Sequence, residues 1–221
     1  MKELKKTKYW LFDLDNTLYS GDTKVFDQVD KKMSKFISEK LNVSIDEAKK
    51  IQKNYFHEYN TTLNGMIKNH DIDANEFLEF VHDVDLSFLK KDDYLKEQIS
   101  KLDGKKIIFT NGSKAHASNV TSRIGIEQLF DGVFDIVDSD FYPKPSIEPY
   151  KKIIENYKIQ PEYCIFFEDI ARNLKPAYEL GMKTVWIENN EPWAAKFSDE
   201  KFVNFKTKSL ANFLKEINEY R

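Results

Sequence analysis

Two carboxylates follow the first apolar run of the chain, with a single residue between them. Residues 9–19 read YWLFDLDNTLY, so Asp13 and Asp15 stand where a strand of buried character ends. An Asp carboxylate can attack phosphorus and hold it as an aspartyl phosphate. A second carboxylate can pass a proton to the leaving oxygen and then take one from the hydrolytic water. A solvated acidic turn is the plainer interpretation of these two residues taken alone.

Polar residues also follow three later apolar runs. Thr110 and Asn111 come after KKIIF, Lys144 lies in YPKP beyond the run GVFDIV, and Glu168 and Asp169 end the run YCIFFED. In an open parallel sheet, ligands bind at the carboxyl ends of the strands. These five residues are therefore predicted to meet the first two carboxylates at one edge of a sheet.

The combined set suits phosphoryl transfer. A carboxylate that attacks a phosphate dianion is repelled by it, so a divalent cation with oxygen ligands has to bridge the two, and Asp13 and Asp169 can hold Mg²⁺. Lys144 would neutralise the equatorial oxygens of the phosphoryl group. Thr110 and nearby backbone amides would hydrogen-bond these oxygens as charge spreads in the transition state.

The elements that must position these residues are strands and helices in alternation. Five short apolar runs are typical of strands, and they lack clean in-out alternation, which indicates a parallel sheet covered by helices on both faces. The first run opens residues 9–19, and the others lie at residues 105–112, 132–140, 163–169 and 182–189. Helical segments lie at residues 114–125, 146–157 and 173–181. The predicted fold class is α/β, with a doubly wound parallel, Rossmann-like core.

Residues 24–102 interrupt this alternation. A helical stripe of apolar residues begins at Val25, and the capping-box sequences SIDE and DANE open two further helices. No strand pattern occurs in this stretch of sequence. We therefore predict an α/β core domain of residues 1–22 and 100–221, and an inserted all-helical cap domain of residues 23–99.

Composition excludes several classes of partner. The 34 basic and 37 acidic residues give a net charge of −3 without a basic block, so nucleic acid is not an expected partner. The single Cys164 cannot form an internal disulfide, which fits a reducing cytoplasm. No apolar run is long enough for a signal peptide or a membrane span. We expect a cytoplasmic protein that is a monomer or a weak homodimer.

The motifs DLDNT, FTNGS, YPKP and FFEDIARN, in this order, resemble the four signature motifs of the haloacid dehalogenase superfamily of phosphohydrolases. The resemblance covers essentially the whole chain. It implies that Asp13 is the nucleophile and that Asp15 is the general acid and base. The metal-independent dehalogenases of this superfamily do not keep an Asp at the position of Asp15, so its presence points to a phosphatase.

The same resemblance assigns the other motif residues to phosphate and metal. Phosphate binding is implied for Thr110, Asn111 and Lys144, with Lys144 as the charge clamp. Four residues are implied as Mg²⁺ ligands: Asp13, Asp15 through its backbone carbonyl, Asp169, and Glu168 through water.

The insert stands where this superfamily carries a helical cap that closes over the phosphate site, so substrate choice is expected to lie in it. Residues 54–67, NYFHEYNTTLNGMI, combine aromatic rings with amides and hydroxyls, which suits a nucleobase. A helix whose aromatic residues only pack against neighbours is the alternative. The stretch resembles the pyrimidine 5′-nucleotidase branch, where a Tyr-rich segment is followed by Leu-x-Gly, and this resemblance implies UMP and CMP as substrates. Candidate specificity residues are Tyr55, His57, Tyr59 and Asn64.

Other functions stay open alongside the nucleotidase. The same chemistry could act on a sugar phosphate or on phosphoglycolate. A phosphomutase would have to keep water away from the aspartyl phosphate, and a non-catalytic binding protein would not need both carboxylates of the first motif.

Several remaining residues are interpreted as structural. His70 and His82 are interpreted as ordinary surface or helix residues. His116 lies near the second motif but on a helix that leaves the site, so a structural role is expected for it. Asn173 could brace Lys144 or the metal ligands, or it could cap a helix. Trp186 and Trp193 are expected in core and edge packing.

Overall fold

A parallel six-stranded sheet forms the centre of the part of the chain that the structure describes, residues 2–189 and 191–220. The structure is a computed structural model. The strand order is β3-β2-β1-β4-β5-β6. The strands are β1 (Tyr9–Phe12), β2 (Lys105–Phe109), β3 (Gly132–Phe134), β4 (Cys164–Glu168), β5 (Lys183–Ile187) and β6 (Phe205–Thr207). Phe12 of β1 pairs with Ile108 on one side and with Phe167 on the other, so the ends of the three central strands are level.

The predicted α/β fold class is confirmed, with two differences in the strands. Residues 135–140 continue the predicted third strand, but the structure has turns there, because the Asp135 side chain accepts the backbone N–H groups of Val137 and Asp138 at 3.0 and 2.9 Å. The edge strand β6 was not predicted. Its three residues are half-buried or exposed, so they give no apolar run.

Ten α-helices lie within the described residues. Their bounds are α1 (Val25–Leu41), α2 (Ile45–Tyr59), α3 (Thr62–Asn69), α4 (Ala74–His82), α5 (Asp93–Ser100), α6 (Lys114–Ile124), α7 (Ile147–Tyr157), α8 (Leu174–Glu179), α9 (Pro192–Ala195) and α10 (Leu210–Tyr220). Short 3₁₀ turns lie at Lys2–Lys6, Gly21–Thr23, Glu127–Leu129, Pro161–Tyr163 and Ala171–Asn173. No described helix is both long and apolar enough to cross a membrane.

Helices cover both faces of the sheet. Trp10 and Phe12 of β1 join the apolar cluster that α5, α6 and α10 share, whereas Leu11 joins the cluster formed with α7 and α8. Because neighbouring side chains of a strand point to opposite faces, both of these faces must be apolar. This arrangement explains why the strand runs of the sequence lack alternation.

Helices α1–α4 share a third apolar cluster, which includes Phe36, Leu63 and Phe77. Two of these helices have the caps that the sequence predicts: the Ser44 side chain accepts from the Glu47 backbone N–H, and the Asp73 side chain accepts from that of Glu76. No strand occurs among residues 24–102, all of which are described. Helix α5 begins inside the predicted range 23–99, but it packs against α10 on the sheet. The boundary of the cap domain stays a prediction.

Candidate active site

The carboxyl edge of the sheet places the first motif next to the fourth. The Asp13 backbone N–H donates to the Phe167 carbonyl at 2.9 Å, which continues the β1–β4 ladder by one residue. The Thr110 N–H donates to the Phe134 carbonyl at 3.1 Å in the same way. Both side chains are buried. The ladder therefore holds the backbone of the predicted nucleophile and of the predicted phosphate ligand in fixed positions.

Lys144 lies at the centre of this edge and is 1% exposed. Its Nζ atom donates to Asp13 Oδ1 at 2.8 Å, to Glu168 Oε2 at 2.7 Å and to the Phe109 carbonyl at 2.8 Å. Burial would lower the pKa of Lys144, but the charges of Asp13 and Glu168 outweigh burial and raise it. The lysine is therefore a fixed positive charge beside the predicted nucleophile.

Asn111 positions the backbone of Lys144. The Lys144 N–H donates to Asn111 Oδ1 at 2.9 Å, and Asn111 Nδ2 donates to the Lys144 carbonyl at 3.3 Å. This pair of bonds joins the end of β2 to the loop that carries the lysine. Thr110 Oγ1, beside it, accepts the N–H of Gly112 at 2.9 Å and lines the same cavity.

Three buried carboxylates converge at the ends of β1 and β4. Oxygen atoms of Asp13, Glu168 and Asp169 lie within 4.8 Å of one another. Burial and the neighbouring charge of Glu168 raise the pKa of Asp13 to about 7, and the same two causes raise the pKa of Asp169 well above its ordinary value. Lys144 offsets only part of this negative charge. A hard divalent cation fits this donor set, because its ligands are carboxylate oxygens.

Asp15 is held by two donors on one oxygen. Its Oδ1 accepts the Tyr19 hydroxyl at 2.5 Å and His116 Nε2 at 2.8 Å. Burial would raise the pKa of Asp15, but the charge and the hydrogen bond of His116 outweigh it and lower the pKa. Conversely, burial would lower the pKa of His116, and Asp15 raises it. Sequence reasoning placed His116 outside the site, and the structure contradicts this. The available signal was its place in the first turn of α6, which starts at the carboxyl edge.

His82 reaches the same place from the other side. Its ring, at the end of α4, stacks on the ring of His116 with 4.3 Å between centroids and 11° between planes. Its Nδ1 lies 3.0 Å from Ser113 Oγ. Burial and the nearby His116 lower the pKa of His82 to about 3, so it is neutral. His82 is a helix residue, as predicted, but it lines the cavity and contacts the site instead of being an ordinary one.

A cavity of about 390 Å³ separates this edge from helices α1–α4. Its floor is formed by the motif residues Asp13, Asp15, Thr110, Asn111, Lys144, Glu168 and Asp169. The opposite wall is mainly apolar and includes Val29, Met33, Leu63, Leu78 and Val81. Asp30 and Gln52 are polar members of this wall. The volume lies near the lower end of the range of about 300–1,000 Å³ that is typical of small-molecule sites.

An aromatic and cationic group forms part of the cavity lining. The Arg172 guanidinium lies over the Phe56 ring at 4.6 Å, and the Phe56 and Trp193 rings meet edge to face with centroids 5.3 Å apart. Arg172 also donates to the Asn60 carbonyl at 3.4 Å. Trp193 was expected only to pack, and Arg172 was not singled out from the sequence. Both line the cavity.

The four candidate specificity residues do not share one surface. His57 lines the cavity, whereas Tyr55, Tyr59 and Asn64 are outside its lining. The Tyr55 hydroxyl lies 2.6 Å from His70 Nε2, and its ring packs on Tyr59. The Asn64 side chain donates to the Tyr59 carbonyl at 2.9 Å.

Asn173 lines the cavity without capping a helix by its side chain. Its Oδ1 is buried and has no hydrogen-bond partner among the described protein atoms. Its backbone carbonyl accepts the Tyr150 hydroxyl at 2.5 Å. Trp186 packs in the core, as predicted, and its Nε1 donates to the Asp169 carbonyl at 2.7 Å.

Comparison with known proteins places this site in a family context. Residues 7–181 match the haloacid dehalogenase-like hydrolases. The chain is 31% identical over 234 residues to Phosphate metabolism protein 8 of Saccharomyces cerevisiae, covering 96% of this chain and 71% of that protein. It is 24% identical over 216 residues to Glyceraldehyde 3-phosphate phosphatase of Methanocaldococcus jannaschii, covering 90% and 92%. A HAD phosphatase from Thermococcus onnurineus has a similar fold, with a TM-score of 0.62, 20% identity and coverage of 96% and 98%.

Proposed function

Since the chain belongs to the haloacid dehalogenase-like hydrolase family, we propose that it is a Mg²⁺-dependent phosphomonoesterase with Asp13 as its nucleophile. One observation carries this proposal. Asp13 lies 2.8 Å from the buried ammonium group of Lys144 and within a cluster of three carboxylates, and Asp15 lines the same cavity. This arrangement offers an attacking oxygen, a fixed cation, a set of metal ligands and a proton carrier at one cavity floor.

The first step forms an aspartyl phosphate. Asp13 Oδ attacks phosphorus, the ester P–O bond breaks, and the leaving oxygen takes a proton from Asp15. Asp15 is ionised in the ligand-free site because its pKa is lowered. The negative charge of a bound phosphate group would raise that pKa again and favour the protonated form.

The second step is hydrolysis of the aspartyl phosphate. Asp15 accepts a proton from a water molecule, the water oxygen attacks phosphorus, and the bond from phosphorus to Asp13 breaks. Lys144 and the hydroxyl of Thr110 stabilise the phosphoryl oxygens in both steps. Mg²⁺, held by Asp13, Asp169, the Asp15 backbone carbonyl and Glu168, would supply the positive charge that offsets repulsion between Asp13 and the phosphate.

Phosphate release from a panel of esters tests this mechanism. We expect wild-type protein to release phosphate with Mg²⁺ and to stop with EDTA, and we expect Asp13→Asn to be inactive because an amide cannot form the aspartyl phosphate. Asp46→Asn, which changes an exposed carboxylate at the start of α2, is the matched control and should retain wild-type activity. Full activity of Asp13→Asn would contradict the proposal.

For the substrate, we propose pyrimidine nucleoside 5′-monophosphates, UMP and CMP. The support is the lining of the cavity, where the Phe56 and Trp193 rings and His57 offer flat surfaces. The Asn60 segment offers polar groups for the edge of a base. Tyr55 and Tyr59 lie outside the cavity lining, so we assign the role of packing against the base to the neighbouring Phe56.

A triose phosphate is the second candidate. It is favoured by one observation, the 24% identity to a protein named Glyceraldehyde 3-phosphate phosphatase over 90% of this chain. Measuring kcat/KM for UMP, CMP, AMP, GMP, glyceraldehyde 3-phosphate and phosphoglycolate separates the two. A preference for UMP or CMP supports the nucleotide proposal, and a preference for the triose phosphate replaces it.

A cytoplasmic location and a monomeric or weakly dimeric state also belong to the proposal. The buried free thiol of Cys164 fits a reducing compartment. Sedimentation of the purified protein over a range of concentrations tests the oligomeric state, and a concentration-independent larger species would contradict it.

A further inference from the structure

We propose that His116 is a positioning residue for Asp15, and that His82 of helix α4 holds the His116 ring, so that Asp15 is oriented for proton transfer only while α4 lies against the core. This inference rests on the proposed phosphomonoesterase function. It concerns two histidines that the mechanism above does not use. His116 is 1% exposed, and His82 comes from the helices that form the opposite wall of the cavity.

Two donors orient the Asp15 carboxylate. Tyr19 and His116 both donate to Oδ1, at 2.5 and 2.8 Å. Two donors on one oxygen fix the plane of the carboxylate. Neither of these two bonds involves Oδ2, so that oxygen is left for proton transfer in the cavity that Asp15 lines. Loss of either donor would let this plane rotate.

The His116 ring is oriented in turn by its contact with His82. An imidazole is usually fixed by a hydrogen bond on the nitrogen that does not act. Here Nδ1 of His116 is buried and has no hydrogen-bond partner among the described protein atoms. The ring is instead held by its stack on His82, at 4.3 Å and 11°. The stack therefore does what a second hydrogen bond does elsewhere.

His82 is itself anchored by a contact with Ser113. Its Nδ1 lies 3.0 Å from the hydroxyl of Ser113, the residue that caps α6. His82 thus contacts the core through Ser113 and His116, and both of these residues lie on the element that reaches Asp15. If α4 moved away from the core, the stack would be lost and the His116 ring would keep only its bond to Asp15 among the polar and ring contacts described.

The consequence is a dependence on the leaving group. A nucleoside or sugar alkoxide needs a proton from Asp15 as the ester bond breaks, whereas p-nitrophenolate leaves without one. A misplaced Asp15 should therefore slow an alkyl phosphate much more than p-nitrophenyl phosphate. A purely structural role of the histidines would lower kcat/KM for both esters by the same factor. The parameter kcat/KM is the correct one because it covers the steps up to formation of the aspartyl phosphate.

The experiment compares two substitutions of His116. Glutamine places its N–H group where Nε2 stands, and asparagine places it where Nδ1 stands, too short to reach Asp15. With Mg²⁺, we expect His116→Asn to lower kcat/KM for the best alkyl phosphate of the panel by about 100-fold. The loss for p-nitrophenyl phosphate should be less than about threefold, and His116→Gln should restore most of the difference. His70→Asn, on a cap histidine bonded to Tyr55, is the matched control and should leave the ratio unchanged.

Two substitutions that differ in side-chain shape test the role of His82. His82→Leu removes the flat ring, and His82→Phe keeps it but loses the bond to Ser113. We expect the leucine variant to change the ratio of the two esters in the same direction as His116→Asn, by about tenfold, and the phenylalanine variant to change it less.

Each result is decisive. Equal losses on both esters, or no loss, in His116→Asn with an unchanged circular dichroism spectrum would overturn the positioning role. If that variant does not fold, failure of His116→Gln to retain the wild-type ratio overturns it. An unchanged ratio in His82→Leu overturns the link to α4. Absence of wild-type activity on every ester would instead contradict the proposed function, so the two failures are distinguishable.

Discussion

The two walls of the cavity are built in different ways. On the core side, charged groups are bonded to one another at short range: Lys144 Nζ has three partners within 2.8 Å. On the cap side, side chains such as Val29 and Leu78 offer mainly surface, and the polar Gln52 is bonded to Asp30 at 2.6 Å. On the proposed function, we expect the core side to supply most of the reacting groups and the cap side to select substrates by shape.

Substitution of Lys144 should produce the largest effect. We expect Lys144→Ala to lower kcat for any phosphate ester by about 10²–10³-fold, because the phosphoryl oxygens lose their fixed cation. Lys101→Ala, at an exposed lysine paired with Glu97, is the control and should have wild-type kcat. If Lys144→Ala raised KM and left kcat unchanged, Lys144 would contribute only to substrate binding. The distinction between the two walls would then fail.

On the cap side, Phe56→Ala should change selectivity. We expect it to raise KM for the preferred substrate by about tenfold, since the ring that contacts Arg172 and Trp193 would supply packing surface for the leaving group on the proposed function. Inhibition by inorganic phosphate, which we expect to bind at the cavity floor, should not change. Phe88→Ala alters a ring that is 60% exposed and outside the cavity lining, and it serves as the control. Weaker phosphate inhibition in Phe56→Ala would show that the cap side also contributes to phosphate binding, so the two walls would not have separate roles.

Metal binding should stabilise the core side without any turnover. We expect Mg²⁺ in large excess over its Kd to raise Tm by several degrees, because at about 100 times Kd a ligand adds about 2.7 kcal/mol to the free energy of unfolding. EDTA should reverse the shift, and Asp169→Asn should abolish it. Equal Mg²⁺ shifts in the wild type and in Asp169→Asn would place the metal elsewhere.

The smallest expected effect is the pH dependence of the pair Asp15–His116. The pKa of Asp15 is lowered from 3.8, so its contribution to stability is present above that value and is lost as pH falls through the lower, folded pKa. The pKa of His116 is raised from 6.5, so its contribution is present below that value and is lost as pH rises through the higher, folded pKa. The difference in unfolding free energy between wild type and His116→Asn should therefore be widest between the two ordinary values of 3.8 and 6.5 and should narrow as pH rises through the raised pKa of His116. Urea unfolding across this range measures it, and a constant difference would contradict the assigned charges.

The core side could be predicted from sequence because parallel strands bring their ends to one edge. Asp13, Thr110 and Glu168 directly follow or end apolar runs, so their meeting needs no knowledge of packing. His116 was missed because it lies on a helix, where the direction of a side chain depends on how the helix is rotated about its axis. The short strand β6 was missed because an exposed edge strand has no apolar pattern.

The cap side could not be predicted to the residue. Tyr55 and Phe56 are neighbours on α2, and their side chains leave the helix about 100° apart. Tyr55 is directed to Gly65 of α3, where a Cβ atom would lie 2.3 Å from the tyrosine ring, and Phe56 consequently reaches the cavity. The close fit of the tyrosine over a glycine fixes the rotation of α2. Only the packed structure contains that information.

The fluorescence of the three tryptophans can report on the site of this protein. Trp10 is fully buried and bonded to the Asp103 carbonyl, so its fluorescence should stay constant and serve as an internal reference. The indole of Trp186 is bonded to the Asp169 carbonyl and should sense a cation at the carboxylates. Trp193, which contacts Phe56 in the cavity lining, should sense a bound base or sugar. Variants that each retain a single tryptophan would report metal binding and substrate binding as separate changes in fluorescence emission, before any phosphate is released.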